Sequence, residues 1–444
     1  MSIAIENKAE NAQPTEERDL GPLAWINDEV RRSLESTVKA LLRYSRDIET
    51  AKVSDLEAVD NTGIRVAKQY LHQVKGALQM VGVDQAAELV ALMEVAAQRF
   101  AAKPHLCTEK SVALMERTSF ALLEYLSHVL KGRSVSFVAL FPQYKEMQAF
   151  VGVERVHPAD LWHGDQAQRE PLTPVMAALP LDRVARQRLD SDMLQIIQSG
   201  DSRAAQDLTA VCLGLAQGLS PQPVKIFWKV AAGFFDAMAY KLLNADLYAK
   251  RTASRVIMQF AAHAKGSAEV DRGLQHELSF FCAIAQGPDE AKASVLQAVR
   301  VSLQTEALQG VNYGQERFGL YDPAVLAQAR KRLESAAELW SSLADGDRYK
   351  IKPVADQFHL IRESLHKLHI GADELGAALG RVTERLVNTG TPPSTPMAME
   401  VATAVLYLQA NLESLDVKPA LMRERADRLA QRLDHVLADQ PPEP

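Results

Sequence analysis

The residues best suited to chemistry in this chain of 444 residues surround one histidine. His72 is followed by Lys75 and Gly76 and, ten residues on, by Gly82. A neutral imidazole is a competent nucleophile near pH 7, provided that one ring nitrogen is held as a hydrogen-bond donor and the other keeps its lone pair. The pattern therefore predicts a histidine that accepts a phosphoryl group.

Helical spacing places this histidine at the edge of a buried stripe. The stripe recurs every three or four residues, as one buried face of a helix does, and consists of Ile64, Ala67, Leu71, Val74, Leu78 and Val81. The adjoining ridge is more polar and consists of Arg65, Lys68, His72, Lys75, Gly76 and Gln79. We therefore expect the imidazole to border solvent.

The neighbours on this ridge have uses in phosphoryl transfer. Gly76 costs a helix about 1 kcal/mol relative to alanine, and the missing side chain clears the approach of another protein to the ring. Lys68 and Lys75 can offset the charge on the transferred oxygens. Glu94, on the next predicted helix, can reach across to hold one ring nitrogen. The predicted binding residues are Arg65, Lys68 and Gln79.

The elements that must position these residues are helices. Aromatic residues make up only 6% of the chain, and alanine and leucine dominate, which favours helix over strand. Gly82 is expected to end the second helix and Asp84 to cap the third. Short turns between four such helices favour an antiparallel bundle. The predicted helices begin at Pro22, between Asp55 and Thr62, at about Gln85 and after the cap Thr108.

The rest of the chain is also predicted to be all-α. Helical patterning resumes after a polar, proline-rich stretch at 157–174 and is interrupted only by turns. The prediction is a series of tandem antiparallel bundles. It comprises a disordered tail at 1–18, a four-helix bundle at 19–152, a linker at 153–174, a second bundle at 175–304, a third at 305–438 and a tail at 439–444.

Composition excludes several classes of protein. Apolar residues at 47% and charged residues at 24% are ordinary for a globular chain. The net charge of −6 argues against a nucleic-acid binder. No apolar run approaches the ~18 residues of a membrane span, and the N-terminus lacks a signal-peptide core. We therefore expect a cytoplasmic protein without membrane insertion. The three cysteines are too far apart for a disulfide framework or a paired metal site.

The string H-x-x-K-G followed by V-G resembles the histidine phosphotransfer (HPt) domain. The resemblance implies that His72 is the phosphorylated residue, with Lys75 and Gly76 at the family's lysine and glycine positions. It also implies that Glu94 supplies the carboxylate that orients the ring, and that the first bundle is of the HPt type. Leu78 departs from the small residue that the family often has at that position.

A broader resemblance covers nearly the whole chain. It rests on six segments, which are DLGPLAWINDEVRRSL, ALFPQYKEMQ, RVHPADLW, FWKVAAGFFDAMA, LSFFCAIAQ and MEVATAVLYLQANLESLD. These segments are similar to the N-terminal region of the ChpA/PilL hybrid kinases of type IV pilus chemosensory systems and, more remotely, to FimL. The resemblance implies signalling in twitching motility or surface sensing, with later bundles that are HPt-like but have often lost the acceptor histidine.

The sequence is compatible with two functions and does not decide between them. In a phosphorelay, His72 receives a phosphoryl group and exchanges it with the receiver domain of a response regulator. The sequence has no P-loop and no kinase core, so the kinase domain must act in trans or belong to a longer parent chain. We predict no cofactor, because the Mg²⁺ for transfer belongs to the receiver. The alternative is an HPt-like scaffold that docks response regulators or polar partner proteins and is never phosphorylated.

Four other histidines are not predicted to be functional. His263 begins the string HAKGS, but its lysine and glycine each come one residue early, which rotates them by about 100° on a helix. We therefore expect a structural residue. His359, His366 and His369 share one helical stripe, yet no acidic or cysteine ligand is expected at matching spacing, so no metal site is predicted.

Overall fold

The fold is entirely helical in the part of the chain described by the computed structural model. Within these residues there are sixteen α-helices and no β-strand, which confirms the all-α prediction. None of these helices combines the length and the apolar character needed to cross a membrane. The described residues are 20–51, 60–133, 135–164, 169–304, 311–414 and 419–440. The predicted tail at 1–18, the predicted helix start at 55–59 and residues 441–444 of the predicted C-terminal tail lie outside them.

The chain divides into two compact units. One comprises Met1–Met115 and Tyr125–Gln315, and the other comprises Glu116–Glu124 and Glu316–Pro444. The predicted division into three bundles, with boundaries at 152, 174, 304 and 438, stays a prediction.

The N-terminal part of the first unit is built around a helical hairpin. The second and third helices, α2 and α3, are joined by three residues, and α1 packs against α2 while α5 packs against α3. Because so short a connection makes neighbouring helices antiparallel, residues far apart in sequence meet across the hairpin. The bounds are α1 Gly21–Ala51, α2 Thr62–Met80, α3 Asp84–Ala102, α4 Glu109–Leu130 and α5 Phe141–Val151. Residues Glu116–Glu124 of α4 belong to the second unit.

The turn between α2 and α3 is closed by a glycine in the left-handed conformation. Gly82 has φ +72°; its N–H donates to the Gln79 carbonyl, and the Val83 N–H donates to the Leu78 carbonyl. This is the Schellman pattern of helix ends, as predicted. The predicted cap by Asp84 is wrong, because Val83 occupies the cap position and Asp84 is already helical. Its carboxylate still lies in the first turn, where the helix dipole favours a negative charge.

The predicted cap of α4 is confirmed. The Thr108 side chain accepts from the Ser111 N–H at 3.3 Å, and the Ser111 hydroxyl oxygen accepts from the Thr108 N–H at 2.8 Å. This reciprocal pair satisfies two of the amide groups that a helix start leaves without partners.

The rest of the first unit surrounds one buried helix, α8. Every residue from Ile226 to Ala239 is buried, because all but two of them are uncharged and mostly apolar. The two charged residues have partners: Lys229 pairs with Glu170, and Asp236 accepts from two backbone N–H groups at the start of α11. Helices α7, α10 and α11 pack against it. The bounds are α6 Arg183–Ser199, α7 Ser202–Gly218, α8 Gln222–Ala239, α9 Leu247–Ala264, α10 Arg272–Ile284 and α11 Ser294–Leu303.

The start of the proline-rich stretch at 157–174 is packed, not free. Ala159, Leu161 and Trp162 are buried, and the Trp162 ring lies 5.1 Å from the ring of His276 on α10. The His276 Nε2 atom lies 3.0 Å from the Ala159 carbonyl oxygen. Four apolar residues in PADLW are enough to bury a segment that is otherwise polar.

The second unit has its own core. Trp340 on α12 stacks on Phe358 on α13, with ring centroids 5.9 Å apart, and buried leucines from five helices complete the cluster. Helix α12 packs against α13 and α15, while α14 packs against α13 and α16. The bounds are α12 Pro323–Ala344, α13 Ile351–Leu368, α14 Asp373–Thr389, α15 Thr395–Ser414 and α16 Pro419–Leu437.

Candidate functional site

Helix α2 presents His72 on the protein surface. Its side chain is 72% exposed, whereas Leu71 and Val74 are buried. The histidine therefore stands where the helical spacing places it, beside the buried stripe and open to solvent.

Helix α3 brings a carboxylate to the ring. The Glu94 Oε1 atom lies 3.3 Å from the His72 Nδ1 atom. If Nδ1 carries the proton and donates it to Glu94, then Nε2 keeps its lone pair. Among the described residues, none forms a hydrogen bond with Nε2. In this tautomer Glu94 holds the Nδ1 atom of the His72 ring, and the Nε2 lone pair is available to a partner.

Lys75 shares the same carboxylate. Its Nζ atom lies 3.6 Å from Glu94 Oε2, while Oε1 faces the ring of His72. Glu94 therefore bridges the histidine and the lysine, and its own side chain is only 23% exposed. Because both oxygens have partners, the carboxylate is fixed in position at the edge of the ring.

Lys68 is positioned by a residue that the sequence analysis missed. Its Nζ atom donates to the Oε1 atom of Gln98 at 3.2 Å. Gln98 lies one helical turn beyond Glu94, so it faces the residue that lies one turn before His72 in the antiparallel hairpin. The i, i+4 spacing on α3 was the signal that could have found it.

Gly76 has open space where a side chain would be. A Cβ atom at this position would meet no heavy atom within 4 Å. The glycine is therefore not required for close packing between helices, and its effect is to leave the surface bare one turn beyond His72.

Arg65 and Gln79 lie on the same ridge but farther from the ring. Both are exposed, and each is seven residues from His72, which is about 10 Å along a helix. The structure therefore gathers His72, Lys75 and Glu94 into one cluster and leaves Arg65 and Gln79 at its margins.

The surroundings of His263 are those of a structural residue, as predicted. The ring is buried, and the Trp228 Nε1–H donates to its Nδ1 atom at 3.1 Å. Its Nε2 atom lies 3.1 Å from the Glu269 carbonyl oxygen. Burial lowers the pKa of this imidazole, which favours the neutral ring. Both of its nitrogens have partners inside the protein.

The histidines of α13 have carboxylate partners of their own. His359 Nε2 lies 3.5 Å from Glu363, and His366 Nδ1 lies 3.1 Å from Asp373. The expectation that no acidic residue stands at matching spacing is wrong, because Glu363 is one helical turn away and the turn before α14 brings Asp373 close. No group of three ligating side chains that could hold a metal ion occurs among the described residues.

The three cysteines are buried thiols. All are free, and burial raises the pKa of Cys107 and of Cys282 to about 12. The thiolate is the reactive form of cysteine, so these side chains act as small apolar groups.

A comparison with protein families identifies one part of the chain. Residues 175–316 match the family model described as the second domain of the FimL scaffold protein. The matched segment contains α6–α11 and lies outside the α2–α3 hairpin. It supports the FimL part of the resemblance, whereas the HPt character of the hairpin stays a prediction. Neither the curated proteins nor the solved structures contain a match to the chain.

Proposed function

We propose that the chain is a FimL-like signalling protein that accepts and passes a phosphoryl group through His72. The observation that carries the proposal is the arrangement of the ring: it is exposed, its Nδ1 atom faces Glu94, and its Nε2 atom is available. A type IV pilus system is the proposed setting, because the family match is to a FimL domain.

The proposed reaction takes place at the Nε2 atom of His72. Its lone pair attacks the phosphorus of an aspartyl phosphate on a receiver domain, the N–P bond forms, and the P–O bond to the receiver carboxylate breaks. The carboxylate leaves with the bonding electron pair. The Nδ1 proton stays on the ring, where Glu94 stabilises the positive charge that develops on the imidazole. The reverse reaction returns the phosphoryl group.

Lys68, Lys75 and Gly76 make the surface around His72 suitable for contact with a receiver domain. Lys75 and Lys68 lie one turn to either side of His72, and their ammonium groups offset the negative charge of the transferred oxygens. The open space at Gly76 lets the receiver bring its phosphorylated aspartate against the ring.

A second candidate function is a scaffold that is never phosphorylated. The family match favours it, because the matched domain is described as part of a scaffold protein and lies outside the hairpin that carries His72. In this case the helical surfaces hold response regulators or polar partner proteins together, and no covalent step occurs.

Phosphoryl labelling separates the two functions. The full chain is incubated with a receiver domain carrying a radioactive aspartyl phosphate, and separately with an active histidine kinase domain and labelled ATP. Phosphohistidine gives a label that is labile in acid and stable in alkali. We expect such a label on the wild type and none on His72→Gln. The matched control is His359→Gln, since His359 is also exposed, at 69%, and also pairs with a carboxylate.

The outcomes are distinct. A label that His72→Gln removes and His359→Gln retains supports phosphoryl transfer. Binding of the receiver without any label supports the scaffold. A label of unchanged strength on His72→Gln contradicts the assignment of the acceptor.

A further inference from the structure

Helix α15 of the second unit has an exposed face that is almost free of charge. From Thr395 to Leu412 the helix contains one charged residue, Glu400, and this side chain is buried and pairs with Arg432 at 2.7 Å. The exposed residues recur at spacings of four and three, which places them on one side of a helix. This exposed stripe consists of Met399, Thr403, Leu406, Ala410 and Glu413.

Two other helices of the same unit expose charged side chains instead. Surface helices ordinarily turn charged and polar residues towards water, and a helix that is apolar on every side is ordinarily covered. The exposed face of α15 therefore has the composition of an interface. The charged residues in question are Asp356, Arg362 and Glu363 on α13 and Arg423, Arg425 and Arg428 on α16.

The stripe can leave water at little cost. Met399 is 65% exposed and Leu406 is 63% exposed, and large apolar side chains gain free energy when a partner covers them. The Thr403 hydroxyl already donates to the Met399 carbonyl at 2.8 Å. Because this hydrogen bond lies within the helix, a partner can cover the hydroxyl without breaking it.

The sizes of these side chains fit a second copy of the same helix. We consider two copies of α15 that run antiparallel about a two-fold axis midway between Thr403 and Leu406. Met399 of each copy then faces Ala410 of the other, and Leu406 faces Thr403. Each large side chain meets a small one, as knobs meet holes in packed helices. A parallel pair would set large against large and small against small, which leaves gaps.

Charge favours the same antiparallel arrangement. The first turn of α15 has no acidic residue that could compensate the positive end of the helix dipole. In the antiparallel pair, Glu413 of one copy lies beside Pro396, in the first turn of the other. A carboxylate is stabilising at a helix N-terminus. The stripe has no other charge that could repel its own copy.

We propose that two copies of this chain associate through the exposed stripe of α15, antiparallel and with two-fold symmetry. A pair of helices about 30 Å long buries less area than a standard interface. The dimer should therefore be weak and dissociate on dilution. This inference goes beyond the proposed function and does not depend on phosphorylation of His72, so either can be wrong while the other holds.

Sedimentation velocity of the full chain from about 1 μM to about 1 mM tests the proposal. The wild type should shift from monomer to dimer. Leu406→Glu should raise the dissociation constant by about a hundredfold or more, because each dimer would bury two carboxylates without partners. The matched control is Val387→Glu on α14, since Val387 is also exposed, at 52%, and lies in the same unit. It should dimerise as the wild type does, and circular dichroism should show unchanged helix content in both variants.

Cysteine cross-linking tests the direction of the helices. A mixture of the variants Met399→Cys and Ala410→Cys should form a disulfide-linked dimer, whereas Met399→Cys alone should not. In the antiparallel pair the two copies of residue 399 are about 16 Å apart, which is too far for a disulfide. The three natural cysteines are buried. The proposal is overturned if the wild type stays monomeric over the whole range, if Leu406→Glu and Val387→Glu dimerise equally, or if Met399→Cys alone cross-links as fully as the mixture.

Discussion

The α2–α3 hairpin and the end of α9 contain the same residue types in different surroundings. His72 is 72% exposed and touches a carboxylate, whereas His263 is buried and accepts a hydrogen bond from Trp228. What the neighbouring helix presents decides the difference: α3 carries Glu94 at the surface, and α8 carries an indole in the core. A histidine followed by lysine and glycine is therefore not by itself a reactive site.

The glycines that follow these two histidines, Gly76 and Gly266, also differ in their surroundings. Gly76 lies within α2 and faces open space, while Gly266 has φ +89° and follows the last residues of α9. The Gly266 N–H donates to the His263 carbonyl, and the Ser267 N–H donates to the Ala262 carbonyl, which is the hydrogen-bond pattern of a helix end. One glycine clears a surface, and the other stops a helix.

The largest expected effect is on stability. His263→Ala should lower the free energy of unfolding by about 2–4 kcal/mol, because it leaves a cavity and an indole N–H without its acceptor. His72→Ala should change it by no more than about 0.5 kcal/mol, as is usual for exposed positions. Chemical denaturation followed by circular dichroism measures both. Equal losses would mean that the two histidines are not in different environments.

The next effect is on the rate of phosphoryl labelling. Glu94→Ala should slow labelling of His72 by about ten- to a hundredfold, because the Nδ1 proton loses the acceptor that orients the ring. Glu269→Ala is the control: this residue contacts His263 through its backbone carbonyl, so removing the side chain should leave labelling unchanged. A wild-type rate for Glu94→Ala would exclude Glu94 from the transfer site.

Acid should destabilise the region of the buried histidines. Burial lowers the pKa of His263, and it lowers that of His157 to about 3, against an ordinary value of about 6.5. The unfolded chain therefore binds more protons below pH 6.5, and stability is lost as the pH falls from there toward the folded-state pKa. His157 alone should remove about 2 kcal/mol between pH 6.5 and 5.

Denaturation at several pH values measures this dependence. The wild type should become less stable from pH 6.5 to 5, and His157→Gln should show a flatter dependence even if its stability at neutral pH is lower. An identical slope in the two proteins would contradict the burial of a neutral ring at this position.

The smallest expected effect is on the free energy of unfolding, and it has opposite signs at Gly76 and Gly266. Gly76→Ala should raise the free energy of unfolding by up to about 1 kcal/mol, since alanine is the better helix former and the space is open. Gly266→Ala should lower it by about 1 kcal/mol, because an L-residue is strained at positive φ. Thermal unfolding of the two variants beside the wild type decides the signs, and two shifts in the same direction would contradict this assignment.

Local features were predictable from the sequence. The 3.6-residue period predicts the buried stripe that contains Leu71 and Val74. Residue type predicts the cap at Thr108 and the end of α2 at Gly82, because both depend on residues within one or two turns. Local rules failed at Asp84, where the chain enters the helix one residue earlier than a capping aspartate requires. They also did not reveal that five of the six residues at 157–162 are buried.

The amino-acid sequence by itself determined that this protein is helical and that His72 lies at the edge of a buried face, because helical periodicity is a property of neighbouring residues. Only the tertiary structure decided that the Nδ1 atom faces Glu94, that Gln98 holds Lys68, and that α9 and the segment 154–160 share a cleft. These contacts join residues 22, 30 and about 90 positions apart. They depend on the register of one helix against another, which no local pattern specifies.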